Sequence, residues 1–224
     1  MLLLHLVLQN EEQSNMSLYE LAPNYVDKVS KANKNRGKKW KYGYNEELDL
    51  IIISKDGTIG DVYYINGLYI ALPATPDKAD DYGNKWKPTP IPQELSRIKT
   101  IFDWNRKDNP FKMKYVDYIE KEFDKRENGH WFVNKGKKTY ITGSHYMYLN
   151  WSKIDVGLPD FRESNRIFYI FWEACKADNR SFGMCYLKNR RSGFSFMSSA
   201  ETSNQGTIVR DSRLGILSKT GSDA

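Results

Sequence analysis

Leu18, Leu21, Tyr25 and Val29 recur at spacings of three and four, which predicts a helix within residues 17–33. The rhythm then changes. Residues 48–74, "LDLIIISKDGTIGDVYYINGLYIALPA", place apolar and β-branched runs on either side of Asp56-Gly57 and Asn66-Gly67. Both dipeptides suit tight hairpin turns, so the stretch predicts a β-meander. Residues 73–93 are rich in Pro, Asp and Gly and predict a long loop at a subdomain boundary. From Glu94 to Arg126 the pattern is helical again, with Tyr115, Ile119 and Phe123 on one face and Asn128-Gly129 as the stop. A second hairpin follows around Asn134-Lys135-Gly136-Lys137, and Thr142 or Ser144 then caps a short helix containing "HYMYLNW".

The last third predicts a helix over about 161–176, a strand in "FGMCYL", a loop in "KNRRSGFS", a helix in "FSFMSSAETSNQG" ending at Gly206, and a strand over 214–218. Strand, glycine loop, helix and strand make the opening of an α/β nucleotide-binding domain. The expected fold is therefore an α+β N-terminal region with β-hairpins, followed by the start of an α/β P-loop NTPase domain. The expected divisions are a β-rich region over 17–93, helix, hairpin and short helix over 94–158, and the start of the P-loop domain over 159–224. Met16 offers an alternative start, which would make residues 1–16 a non-native extension.

Composition changes this picture little. Hydrophobic residues at 40% and aromatics at 14% allow a real core. The net charge of +6 permits contact with nucleic acid without demanding it. Cys175 and Cys185 form no ligand or disulfide pattern and are expected as small buried hydrophobes in a reducing compartment. His5, His130 and His145 build no metal-ligand spacing. The apolar run at the N-terminus is short, broken by His5 and lacks a preceding basic residue, so it does not read as a signal. No stretch reaches the roughly 18 apolar residues of a membrane span, and the expectation is a soluble cytosolic protein without membrane contact. One further segment, residues 31–45, interleaves basic residues with Trp40, Tyr42 and Tyr44. Such a run can hold a phosphate backbone and stack bases, or its rings can pack on the next strand.

The segment with the most chemistry is "CYLKNRRSGFSFMSSAE", residues 185–201. A P-loop gathers backbone N–H groups into one concavity at a helix N-terminus, with Gly where the chain nears the phosphates. A Ser or Thr gives an oxygen to Mg²⁺, and a Lys neutralises the β/γ oxygens. Here Gly193 and Ser195 fill the second glycine and the hydroxyl, but Phe194 stands in the lysine position and Lys188 in that of the first glycine. A lysine on the opposite shoulder of the loop can reach the same phosphate, and Arg190 and Arg191 add charge.

In order and spacing, Lys188, Arg191, Gly193, Phe194 and Ser195 match K-x-x-R-x-G-[FY]-S. The segment thereby resembles the variant Walker A motif of large terminase subunits of tailed phages. The helix "FRESNRIFYIFWEA" before it and "LGILSKTGSDA" after it agree, and "YITGSHYMYLNWSKI" is similar to the upstream segment of terminases from phages of gut Bacteroidales. The resemblance covers about residues 139–224.

It implies ATP and Mg²⁺ as cofactors, with Lys188 on the β/γ-phosphates and Arg191 assisting or sensing the γ-phosphate. It also implies a cradle formed by Lys188, Asn189, Arg190, Arg191, Ser192, Gly193, Phe194 and Ser195, with Ser195 on the metal. Phe161 and Arg162 become candidates for the adenine contact by position, although plain helix packing also accounts for Phe161, Phe168 and Trp172. The implied partners are double-stranded DNA, a portal protein, a small terminase subunit and further copies of the chain, in the host cytoplasm.

The departure from the family lies downstream. Glu201, Asp211 and Asp223 are the only carboxylates after Ser195, and none ends an apolar strand as the Walker B Asp-Glu does. The expectation is thus the N-terminal portion of a terminase, without nuclease, that binds nucleotide poorly and does not turn it over. A helicase-like P-loop motor and a non-enzymatic nucleic-acid-binding protein remain as alternatives.

Overall fold

The computed structural model describes residues 24–95, 114–187 and 192–215. Over these residues the chain is a mixed α and β fold with five helices and two small sheets. Of the helix expected over 17–33, the described part is α1, Tyr25–Lys34.

The first sheet holds β1 (Gly43–Asn45), β2 (Leu50–Ile52), β3 (Val62–Ile65) and β4 (Leu68–Ala71), in the order β1-β2-β4-β3. β3 and β4 form the expected hairpin, and both turn residues, Asn66 and Gly67, have positive φ, as a type I′ turn requires. The meander itself is not formed, because β2 pairs with β4 in parallel and not with β3. The cause lies at Asp56-Gly57. The Asp56 carboxylate accepts from Thr58 N at 2.9 Å and Thr58 Oγ1 at 2.8 Å, and Gly57 O accepts from Trp40 N at 2.9 Å. This turn ties the chain to the segment before β1 and sends it across the sheet. β2 lies inside the sheet and is covered on both faces, which explains its uninterrupted Leu50-Ile51-Ile52 run. Leu50 and Ile52 pack with Ala32 of α1, while Ile51 packs on the opposite face.

The loop over 73–93 is stitched to the second sheet. Val133 N donates to Asp80 O at 2.8 Å and Lys135 N to Asn84 O at 2.8 Å, while Trp86 is buried. The second sheet is the hairpin β5 (His130–Asn134) and β6 (Lys137–Ile141), turning at Lys135-Gly136 as expected.

It follows α2, Val116–Asn128, which Gly129 ends at φ 84°. Tyr115, Ile119 and Phe123 do not form the buried face of α2. Phe123 is exposed and Glu122 is buried, because the helix turns its carboxylate toward donors on α3. That helix, α3 (Gly143–Trp151), starts at Thr142, whose hydroxyl accepts from His145 N at 3.3 Å. Gly143 is required where α3 meets α2, since a Cβ there would lie 2.0 Å from Arg126 O.

α4, Glu163–Ala177, spans the molecule and matches the expected helix closely. Ile170, Ala174 and Ala177 press on Ile51, Ile53 and Ile70 of the first sheet, while Phe168 and Tyr169 join the core around Phe132 and Tyr146. Arg166 joins three elements: it donates to Glu163 Oε1 at 2.8 Å, Tyr63 Oη at 3.1 Å and Tyr140 O at 3.4 Å. α5, Phe194–Ile208, runs past the expected stop at Gly206 and packs along α3 through Met197 and Ala200.

The strand expected in "FGMCYL" is not formed. Residues 181–187 have no regular structure, and only Met184 and Tyr186 pack inward, against the core around Phe168. Leu214 and Gly215 belong to no strand, and residues 216–218 lie outside the described residues. Cys175 is half-buried and Cys185 exposed, so the expectation of two buried cysteines fails. Cys185 sits on the outward side of that unpaired segment. Among the described residues, no helix is long and apolar enough to cross a membrane.

Candidate functional site

The N-terminus of α5 is where the candidate loop ends. Gly193 precedes the helix at φ 76° and ψ 9°, in the left-handed region that favours glycine. An added Cβ would meet nothing within 4 Å, so the conformation and not crowding calls for glycine. Among the described residues no side chain caps the helix, and its first turn holds no carboxylate. The amides of Phe194, Ser195 and Phe196 therefore lack an intrahelical acceptor, and the helix dipole adds partial positive charge. Ser195 is exposed in this turn. The Ser192 hydroxyl, just before the glycine, is buried without a hydrogen-bond partner among the described residues.

Phe194 is an anchor and not an empty substitution for lysine. Its ring stacks on Tyr186 with centroids 4.8 Å apart and planes at 18°. It meets the edge of Phe168 at 5.6 Å and lies 6.4 Å from Trp172. Tyr169 adds a hydroxyl bond to Met197 O at 3.1 Å. The aromatic side of α4, expected from sequence as helix packing, thus holds the start of α5 in place.

Further along, Lys176 bridges Glu173 and Glu201, 2.7 Å from each. Tyr42 Oη donates to Glu173 Oε1 at 2.8 Å, and Gln205 Nε2 donates to Glu201 Oε1 at 3.2 Å. This chain of polar contacts links the residue before β1, α4 and α5. Burial disfavours the Lys176 ammonium, but Glu173 and Glu201 outweigh it and raise its pKa. Burial and then Glu173 push the Tyr42 phenol far above its ordinary value. Glu201, the one carboxylate on α5, is therefore committed to Lys176.

Lys188, Asn189, Arg190 and Arg191 lie outside the described residues. Ser192, Gly193, Phe194 and Ser195 are brought together at one helix end. Phe161 packs edge-on to Phe132 at 5.2 Å and stacks with His145 at 5.7 Å, so its faces are occupied by the core. Arg162 is exposed at the N-cap of α4. The residues present suit phosphate groups through bare amides, a left-handed glycine and two serine hydroxyls. Toward Mg²⁺ they offer the Ser195 oxygen. Among the described residues, no three or more His, Cys, Asp and Glu side chains gather as a metal-ligand set.

The aromatic residues of the run over 31–45 are all engaged. Trp40 packs against the core around Leu50, Tyr42 bonds Glu173, and Tyr44 Oη donates to Asp49 Oδ1 at 2.7 Å. The Arg180 guanidinium covers the Tyr44 ring at 3.3 Å. All three rings are half-buried and make contacts within the fold, which agrees with packing on the neighbouring strands.

A second polar centre went unseen in the sequence. Glu122 is buried, accepting from Tyr146 Oη at 2.7 and 2.9 Å, Trp151 Nε1 at 3.1 Å and Asn150 Nδ2 at 3.4 Å. No sequence signal pointed to it, because the apolar positions Tyr115, Ile119 and Phe123 do not mark the face of α2 that is buried.

No family model, no curated protein and no solved structure matches the chain.

Proposed function

We propose that the chain is part of a large terminase subunit of a tailed phage. In this reading residues 188–195 bind the phosphates of ATP, and the complete protein uses the nucleotide to drive double-stranded DNA through a portal into a capsid. The observation that carries the reading is the junction at Gly193, where a left-handed glycine feeds the uncapped N-terminus of a fifteen-residue helix with Ser195 exposed. Bare amides at a helix start favour an anion by charge and by geometry. The resemblance adds Lys188 as the cation facing the β/γ-phosphates, Arg191 beside the γ-phosphate and Ser195 as an oxygen toward Mg²⁺. Bound with ATP, that ion neutralises phosphate charge. Phe194 supports this arrangement by fixing the helix start against Tyr186 and Phe168. The small terminase subunit, the portal protein, homo-oligomerisation of the full-length protein and a place in the host cytoplasm belong to the same proposal.

Calorimetric titration with Mg-ATP tests it. Lys188→Ala and Ser195→Ala should each weaken binding by at least about tenfold, or about 1.4 kcal/mol, with an unchanged circular dichroism spectrum. Equal affinity in wild type and Lys188→Ala would remove the relocated lysine from the site.

A further inference from the structure

A cavity of about 200 Å³ lies between α1, the start of β3 and the tip of the β5–β6 hairpin, far in sequence from the α5 loop. Asn33, Arg36, Asp61, Tyr63 and Lys137 line it. Arg36 Nη2 is 3.5 Å from Asp61 Oδ1, and both side chains are more than half exposed, so this pair is loose and solvent-screened. The Lys137 ammonium has no partner among the described residues, and neither do those of Lys31 and Lys34 on α1 or Lys135 on the hairpin turn. Two cations therefore face one carboxylate in the cavity, with further free cations on both elements that frame it.

We propose that this cavity receives a phosphate of a nucleic-acid backbone, and that α1 and the hairpin tip hold the strand without reading its sequence. The guanidinium fork matches phosphate oxygens, the Asn33 amide supplies another donor, and Lys137 closes the opposite side. Sequence-independence follows from the aromatic residues of the neighbouring basic run, which are all committed to packing or hydrogen bonds. Only the choice of duplex DNA as ligand rests on the terminase reading. The cavity stands apart from the α5 site.

Fluorescence anisotropy of the full chain with a labelled duplex of mixed sequence, without nucleotide, tests the proposal. Arg36→Glu with Lys137→Glu should weaken binding by at least about tenfold and reduce the slope of log affinity against log salt by about 2. Asp61→Asn, which removes the one carboxylate, should tighten binding. Unchanged affinity in the double variant overturns the proposal. So does unchanged or weaker binding in Asp61→Asn, which also serves if the double variant fails to fold. Competition by inorganic phosphate or polyglutamate at the duplex's own effective concentration would assign the cavity to a free or peptide-borne anion and overturn it too. Because nucleotide is omitted, failure of the α5 site leaves this measurement unaffected, and Mg-ATP titration of the double variant reads the α5 site independently.

Discussion

The rings of Tyr186 and Phe194 lie face to face, 4.8 Å between centroids, across the gap between an unpaired segment and the first residue of α5. Where a common P-loop carries its lysine, this chain carries a hydrophobic lock. Phe194→Lys restores the common motif on paper and removes the lock in fact. It should therefore destabilise the fold by about 2 kcal/mol, less than the 3–5 kcal/mol of a fully buried Phe, because Phe194 is only partly buried. Phe194→Tyr keeps the stacking and should cost under about 1 kcal/mol. Urea midpoints at a constant m-value make the comparison. A Phe194→Lys midpoint equal to that of wild type would show that the pair does not hold the helix.

His145 is wholly buried between Phe161 and Tyr169, with no hydrogen-bond partner on either ring nitrogen among the described residues. Burial, aided by the Arg166 charge, lowers its pKa to about 3. Burial and Lys125, opposed by Asp80, lower that of His130 to about 4. Unfolded histidine titrates near 6.5, so between pH 6.5 and about 4 the unfolded chain binds protons that the folded chain refuses. The stabilisation from these neutral rings is complete above pH 6.5 and is lost as pH falls below it. Replacing His145 by Leu removes one of these proton acceptors together with two orphaned polar atoms. The variant should be as stable as wild type or more so at pH 7.5, and should lose less stability between pH 6.5 and 4.5. Thermal midpoints across that range decide the matter, and parallel curves for the two proteins would exclude His145 as the acid-sensitive group.

Local chemistry was legible in the sequence, and pairing at a distance was not. Asn66-Gly67, Lys135-Gly136, Thr142 and Gly129 each act through neighbours a few residues away, and each sits where its dihedral or capping preference puts it. The apolar run of β2 says that both its faces are buried without saying which strands lie beside it, so its parallel pairing with β4 has no signature in the sequence. The segment 182–187 has strand-forming side chains and alternates inward and outward over residues 184–187, yet no neighbouring strand supplies its hydrogen bonds among the described residues. At the candidate site the bare helix end, Gly193 and exposed Ser195 were foreseeable from the order Gly-Phe-Ser. The stacking of Phe194 on Tyr186 was not, because it depends on how α4 presents Phe168 to both rings and Trp172 to Phe194.

Glu122 shows the same limit in the core. Its carboxylate holds α2 to α3 through Tyr146, Trp151 and Asn150, and Asn150 in turn accepts from Thr89 N at 2.6 Å, fixing the loop over the second sheet. All of these donors point at an acceptor. Glu122→Gln turns an amide NH₂ toward at least one of them and leaves a buried donor unpaired, whereas Tyr146→Phe removes one donor and leaves the others to the carboxylate. The first substitution should cost about 2–4 kcal/mol and the second about 1–2 kcal/mol. In the double variant the amide no longer opposes the tyrosine hydroxyl, so the combined loss should fall short of the sum by about 1 kcal/mol. Chemical denaturation of the four proteins provides the cycle, and strict additivity would mean that Glu122 and Tyr146 act on the fold independently.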